Sequence, residues 1–140
     1  MLIVDHSGPR WAGSRKIGLS YAHDEDTVFL VWSLNGRPIG VDLEPRNRCP
    51  KTPVTQLADR FFHESESLAL HRIPEHRRVE SFLELWLKKE ALAKLTRKGL
   101  VYSLPLALAA CEAIEFEAPA LLPIGKRAVL AFFRDPGRNN

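Results

Sequence analysis

Residues 79–104, VESFLELWLKKEALAKLTRKGLVYSL, predict the longest element of this fold. Residues 79–98 contain no proline, no glycine and no β-branched run. Gly99 follows them at a position typical of a left-handed helix cap. We therefore expect one helix of about five turns that ends near Lys98.

Two charged residues lie on the apolar face of this helix. At about 100° per residue, one broad arc collects Phe82, Leu83, Trp86, Leu87 and Ala93. Glu90 falls in the middle of that arc and Lys94 falls beside it. On a solvated face such a pair contributes only about 0.2–0.5 kcal/mol. Among apolar side chains it is costly to bury without a metal or a phosphate as a further partner. The helix alone leaves both an ion pair at the edge of the core and a functional pair open.

The length and composition indicate a single intracellular domain. We expect 140 residues to form one domain, residues 1–140, with a core that needs no disulfide. Cys49 and Cys111 are far apart and form no zinc or redox motif. No apolar run is long enough for a signal peptide or a membrane span, so we expect a cytoplasmic protein without a membrane partner. The net charge of +3 comes without a nucleic-acid-binding motif, which argues against nucleic acid and leaves an anionic ligand or an acidic partner.

Strands are expected before the helices. Residues 1–16 are typical of a basic loop, and residues 17–21 form the first strand candidate. Residues 27–34 are rich in β-branched and aromatic side chains, and Asn35-Gly36 follows them directly. Asn-Gly between two strand patterns predicts a β-hairpin, here with residues 37–44 as the returning strand.

The returning strand carries two acidic residues on one face. Side chains alternate along a strand, so Asp42 and Glu44 share a face with their Cα atoms about 7 Å apart. Two neighbouring carboxylates repel each other unless a cation joins them, and Mg²⁺ takes such oxygen ligands together with water and substrate phosphate. The pattern is compatible with a solvated strand end or with a magnesium site.

The rest of the chain predicts helices and a closing pair of strands. Residues 54–73 have a helical pattern that breaks near Glu64, and residues 114–117 and 127–134 are strand candidates. We therefore expect an α+β fold, an antiparallel sheet packed against a long helix. A basic cluster between the helices indicates a solvated helix end or a docking surface for an acidic partner: His71, Arg72, His76, Arg77 and Arg78.

Three patterns follow one another in a fixed order. They are G-V-D-L-E at residues 40–44, R-F-F with glutamates after it at residues 60–66, and W-x-x-K-E-A-x-x-K at residues 86–94, the last followed by K-G-L at residues 98–100. Their order and spacing resemble the 4′-phosphopantetheinyl transferase superfamily. The resemblance covers residues 19–104 and is closest to the C-terminal half of the longer, pseudo-dimeric members.

The resemblance implies an activity and a set of site residues. The activity is transfer of 4′-phosphopantetheine from coenzyme A to a serine of an acyl or peptidyl carrier protein, with Mg²⁺ and with release of adenosine 3′,5′-bisphosphate. Asp42, Glu44 and Glu90 would be the metal ligands, and Glu90 would also accept the serine proton. Lys94 would contact the phosphates as a catalytic and coenzyme-binding residue, with Lys89 and Lys98 nearby.

The chain departs from the family pattern in two motifs and in its length. The G-x-G-L expected after the helix reads Arg97-Lys98-Gly99-Leu100, without its first glycine. Longer members have Ser-His-Ser where this chain has Ser20-Tyr21-Ala22, so we expect Ser20, His23 and the basic residues Arg15 or Lys16 to contribute to coenzyme A binding. A chain with one half of the pseudo-dimer is expected to form a homo-oligomer with the site at an interface. Two alternatives remain: a non-catalytic module that binds carrier proteins, and a Mg²⁺-dependent phosphohydrolase.

Overall fold

The computed structural model describes residues 2–5, 8–12 and 17–134, with side chains at residue 12 and from residue 17 to 134. The strands are β1 (Leu2–Asp5), β2 (Gly8–Trp11), β3 (Gly18–His23), β4 (Val28–Ser33), β5 (Ile39–Pro45), β6 (Ile114–Glu117) and β7 (Lys126–Phe133). The helices are α1 (Val54–Phe61), α2 (Glu64–Arg72), α3 (Glu75–Thr96) and α4 (Leu100–Ser103), with a 3₁₀ turn at Leu108–Ala110. The fold is α+β with antiparallel sheets packed against the long helix α3, as the sequence predicted.

The main sheet combines strands from distant parts of the chain. Its order is β5-β7-β6, with β7 in the centre and antiparallel to both neighbours. Strands β3 and β4 form a separate antiparallel hairpin, and β1 pairs with β2. The prediction of a loop over residues 1–16 is therefore wrong for residues 2–5 and 8–11, which pair as strands. The sequence did not reveal this pairing, because backbone hydrogen bonds between strands do not require an apolar periodicity. Arg15 and Lys16 lie outside the described residues.

The predicted hairpin at Asn35-Gly36 is wrong. The two residues do form a turn, in which Gly36 has a φ of 73° and the Asn35 side chain accepts the N–H of Arg37 at 3.1 Å. Strand β4 nevertheless pairs with β3, and β5 pairs with β7 from Ile39 to Pro45. Pro38, which has no N–H to donate, separates the turn from β5. Strand β7 pairs along one edge of β5, which leaves the two faces of β5 to be covered by the β3–β4 hairpin and by α3.

Helix α3 is longer than predicted at its start and shorter at its end. It begins at Glu75, directly after Pro74, and ends at Thr96. Arg97, with a φ of 57°, takes the left-handed position expected of Gly99. Gly99 has a φ of 82° and instead precedes α4, which starts a new helical direction at Leu100. No described helix contains a stretch both long and apolar enough to cross a membrane.

The core consists of layers on the two faces of the main sheet. The β3–β4 hairpin covers one face, where Ala22 packs with Val41, Leu43 and Ala128. Helix α3 covers the other face through Ala91 and Leu95. The opposite side of α3 packs on α1 and α2, and the residues of that cluster include Val54, Ala58, Phe62, Leu70, Phe82 and Leu83. Helix α3 is therefore enclosed on two sides, which holds its central residues in place against β5.

Candidate metal and phosphate site

The carboxylates of Asp42, Glu44 and Glu90 converge between β5 and α3. Gly40, on the same face of β5 as Asp42 and Glu44, lets the helix come close, because a Cβ there would lie 2.0 Å from the Ala91 carbonyl oxygen. One oxygen from each carboxylate lies within 4.8 Å of the others. We refer to these three residues as the acidic trio. Oxygen atoms at this spacing are suited to a shared hard cation such as Mg²⁺.

A first prediction concerns Gly40. In Gly40→Ala, the added methyl group would meet the backbone of Ala91 and Leu95 and push α3 away from β5. We expect the free energy of unfolding to fall by about 1–3 kcal/mol or more, and the stabilisation of the fold by Mg²⁺ to be lost. Thermal melts with and without MgCl₂ measure both effects.

The control for that experiment is Gly125→Ala. Unlike Gly40, Gly125 has a positive φ, of 78°, and a Cβ there meets nothing within 4 Å. This variant is destabilised by backbone strain alone, and we expect it to keep its response to Mg²⁺. An equal response in both variants would contradict the role assigned to the close approach at Gly40.

Asp42 has one satisfied and one unsatisfied carboxylate oxygen. Its side chain is 9% exposed, and Oδ1 accepts a hydrogen bond from Lys94 Nζ at 2.7 Å. Oδ2 is buried and meets no hydrogen-bond donor in the described part of the chain while Glu90 is ionised. A buried carboxylate oxygen without a partner is unfavourable. The acidic trio thus fits a cation on its charge, its spacing and this free oxygen.

Glu44 is paired with Arg48, a residue that the sequence interpretation missed. The Arg48 guanidinium forms an ion pair with the nearly buried Glu44 carboxylate and is itself 42% exposed. Its charge also acts on Glu90. The spacing of four residues between Glu44 and Arg48 was the available signal, but the proline-rich loop that follows β5 does not predict a contact.

The environment of Glu90 raises the pKa of its carboxyl group from 4.5 to about 8. Burial is the main cause, and the hydrogen bond and negative charge of Asp42 add to it. The positive charges of Lys94 and Arg48 act in the opposite direction. Without a metal, the acidic trio therefore retains a proton near neutral pH.

A second prediction follows from that pKa. Because Glu90 has a higher pKa in the folded state, its contribution to stability is fully present below pH 4.5 and is lost as the pH rises to about 8. Binding of Mg²⁺ needs the deprotonated carboxylate, so we expect Mg²⁺ affinity to increase up to about pH 8. Thermal melts across this range, with and without MgCl₂, measure both trends.

The matched variants for the pH experiment are two glutamates changed to glutamine. Glu90→Gln should remove the Glu90 contribution to both pH trends, whereas Glu112→Gln, at an exposed position, should leave them unchanged. Stabilisation by Mg²⁺ that does not depend on pH in the unaltered chain would contradict the assignment of Glu90 as a ligand.

Lys94 links the acidic trio to strand β3. Its ammonium donates to the Tyr21 carbonyl oxygen at 3.0 Å and to Asp42 Oδ1, and its side chain is 35% exposed. An ammonium group has three N–H donors, so one remains for a ligand. This position is compatible with the predicted contact to phosphate.

Lys89 lies in a different environment from Lys94. Its side chain is fully buried, with Nζ 2.7 Å from Glu66 Oε2 and 2.6 Å from the Leu106 carbonyl oxygen. Nζ also lies 5.1 Å from the centre of the Phe62 ring. Burial lowers the pKa of Lys89 and the Glu66 carboxylate opposes that effect. The predicted coenzyme A contact of Lys89 stays a prediction, but a buried and paired ammonium does not support it.

The other predicted coenzyme A contacts are spread over the fold. Ser20 is buried, and its Oγ accepts the N–H of Val41 at 3.1 Å, which joins β3 to β5. His23 is exposed at the end of β3, with its ring stacked on Tyr21 at 5.9 Å. Lys98 is exposed and lies over the Tyr102 ring at 4.5 Å. No described contact joins any of the three to the acidic trio.

Comparison with known proteins identifies the relatives of this chain. A family model described as the 4′-phosphopantetheinyl transferase superfamily matches residues 38–136. A 4′-phosphopantetheinyl transferase of Aneurinibacillus migulanus is 32% identical over 84 residues, which are 60% of this chain and 33% of the relative. Transferases of the same description from Bacillus pumilus and Bacillus subtilis are 36% and 33% identical, over 54% and 56% of this chain and 31% and 32% of their own lengths. The matched part thus spans about a third of each relative.

Proposed function

This chain belongs to the 4′-phosphopantetheinyl transferase superfamily, and from that premise we propose that it transfers 4′-phosphopantetheine from coenzyme A to a serine of an acyl or peptidyl carrier protein. The observation that carries the proposal is the convergence of the carboxylates of Asp42, Glu44 and Glu90, of which Asp42 Oδ2 is unsatisfied. Asp42 and Glu44 lie in the G-V-D-L-E pattern and Glu90 lies in W-x-x-K-E-A-x-x-K, the patterns that resemble the family. Three carboxylates together fit a divalent cation.

The acidic trio would hold Mg²⁺, which supplies positive charge to the pyrophosphate of coenzyme A during the reaction. The bond that forms joins the serine oxygen to the phosphorus of the phosphopantetheine group. The bond that breaks lies in the pyrophosphate bridge, and adenosine 3′,5′-bisphosphate leaves. Glu90 accepts the proton of the serine hydroxyl, directly or through water.

Lys94 orients and neutralises the phosphates in this proposal. Its ammonium group already donates to the Tyr21 carbonyl oxygen of β3 and to Asp42 of β5. These two bonds fix the direction in which the third N–H can donate to a phosphate oxygen. Phosphoryl transfer depends mainly on such positioning and on electrostatic stabilisation. Lys94 therefore acts as a fixed positive charge beside the acidic trio.

Self-association is part of the proposal, and an exposed apolar surface supports it. The β3–β4 hairpin presents exposed apolar side chains, with Val28 72% and Trp32 58% exposed. A second copy that covers this face would bring another surface close to Lys94 and Tyr21. Sedimentation equilibrium is expected to show a homo-oligomer, and a monomer at assay concentration would contradict this part of the proposal.

The test of the function is a mass measurement on the carrier protein. The chain is mixed with coenzyme A, Mg²⁺ and an unmodified carrier, using acyl and peptidyl carriers in parallel. Transfer adds the mass of one phosphopantetheine, and a chelator prevents it. A stable complex without a mass change would instead support a carrier-binding module, and release of adenosine 3′,5′-bisphosphate without a carrier would support a phosphohydrolase.

A further inference from the structure

A cleft of about 300 Å³ lies between α3 and strands β6 and β7. Its floor is apolar and includes Leu87, Phe116 and Leu122. No residue of the acidic trio lines it, so it is a separate space. Such a volume lies at the lower end of the range for small-molecule sites, which are mostly apolar with a few placed polar groups. The charged residues around it are Arg46, Lys88, Arg127, Glu80, Glu84 and Glu117.

Arg127 is the most unusual of these charged residues. Its side chain is only 13% exposed, and its Nε is buried without a hydrogen-bond partner among the described residues. Its Nη2 lies 3.5 Å from the Arg46 carbonyl oxygen, and 3.8 Å from a carboxylate oxygen of Glu80. A guanidinium group so largely removed from water, with one long ion pair to an exposed carboxylate and an unpartnered Nε, is favoured by an anion in the cleft.

The acidic residues around the cleft are too exposed to serve as the anion that Arg127 lacks. Glu80 is 62% exposed, and Glu84 and Glu117 are also exposed, so solvent and salt screen their charges. Lys88 is half-buried and Arg127 nearly buried. The two least exposed charges around the cleft are therefore positive, although the formal charges around it balance.

We propose that this cleft binds an organic phosphate. The guanidinium group of Arg127 is a planar fork of N–H donors, a geometry that suits phosphate oxygens. Lys88 and Arg46 add positive charge for a phosphate monoester, which carries nearly two negative charges at neutral pH. The apolar floor at Phe116 and Leu87 accepts the organic part, such as a nucleoside. The proposal does not depend on transfer activity, because it concerns a space outside the acidic trio.

The test is calorimetric titration of the chain with adenosine 5′-monophosphate in the absence of Mg²⁺. We expect saturable binding that weakens at least about tenfold in Arg127→Gln, because hydrogen bonds to charged groups are lost. Arg127→Lys keeps the charge but loses the fork and should weaken binding as well. The double variant Arg46→Gln/Lys88→Met, at more exposed positions, should also weaken binding and serves if Arg127→Gln does not fold.

Two controls isolate the cleft. Arg134→Gln changes an exposed arginine outside it, and Asp42→Asn changes the acidic trio, and neither should alter nucleotide binding. No binding by the unaltered chain, or equal binding by the Arg127 and double variants, would overturn the proposal. Inorganic phosphate that binds as tightly as the nucleotide would overturn the assignment of the organic part.

Two ligands carry the required phosphate and nucleoside, namely coenzyme A and a separate nucleotide. Competition against bound adenosine 5′-monophosphate distinguishes them. Coenzyme A carries a phosphate on its ribose, and dephospho-coenzyme A lacks it. Competition by coenzyme A but not by dephospho-coenzyme A would show that the coenzyme's own ribose phosphate occupies the cleft. Failure of both to compete, with nucleotide binding intact, would show that the occupant is a separate nucleotide.

Discussion

Replacement of Asp42 by asparagine is expected to reduce phosphopantetheine transfer by at least about a hundredfold. The amide keeps the shape of the carboxylate, and its oxygen can still accept the hydrogen bond from Lys94 at the position of Oδ1. It removes the negative charge and replaces the buried, unpartnered Oδ2 by an N–H₂ group that repels a cation. Mass spectrometry of the carrier measures transfer, and thermal melts with MgCl₂ measure metal binding.

Asp24→Asn is the matched control for Asp42→Asn. Asp24 is also largely buried, at 13% exposed, and pairs with Lys126 at 2.6 Å, so this variant loses a comparable ion pair outside the acidic trio. We expect Asp24→Asn to transfer normally once it is folded. Transfer by Asp42→Asn at the rate of the unaltered chain would remove the basis for a metal-dependent transferase.

Replacement of Lys89 by methionine is expected to lower the free energy of unfolding by about 3–5 kcal/mol. Methionine fills a similar volume, but the Glu66 carboxylate is left buried without its cation. The Leu106 carbonyl oxygen also loses its donor. Chemical denaturation monitored by tryptophan fluorescence measures the loss, since Trp86 packs against Phe82 and Phe62 in the same cluster.

Two further variants test this explanation for Lys89. Lys88→Met, one position earlier in α3, breaks no ion pair to a buried acid among the described residues and should change the free energy of unfolding by less than about 0.5 kcal/mol. Addition of Glu66→Gln to Lys89→Met should restore part of the stability, because it removes the unpaired charge. The restoration stays partial, since the Leu106 carbonyl oxygen still lacks the donor that Lys89 supplied. Equal losses in Lys88→Met and Lys89→Met would show that the buried pair is not the cause.

The sequence predicted the long helix and singled out the three acidic residues that the fold brings together, because both rest on local patterns. Phe82, Leu83, Leu87 and Ala93 are buried, as the arc on α3 required. The break between α1 and α2 also lies where it was predicted, just before Glu64. Periodicity and strand alternation depend only on near neighbours, so a single sequence is sufficient to recognise them.

The contacts that complete the site were harder to predict because they join distant residues. Lys94 reaches the Tyr21 carbonyl oxygen, and Ser20 accepts the Val41 N–H instead of presenting a free hydroxyl. Lys89 and Lys94 also point in different directions. Rotation about the axis of α3 turns Lys89 towards Glu66, whereas Lys94 contacts Asp42 of the acidic trio. Only the packing of α2, α3 and β5 decides those directions.

The sequence by itself determined the class of fold, the long helix and the family, because these follow from local periodicity and from residue types in a fixed order. The tertiary structure alone decided that β5 pairs with β7 and not with β4, and that Gly40 brings α3 close enough for the carboxylates of Asp42, Glu44 and Glu90 to meet. The physical reason is that strand pairing and close helix approach are selected by burial between segments far apart in the chain, which no local pattern specifies.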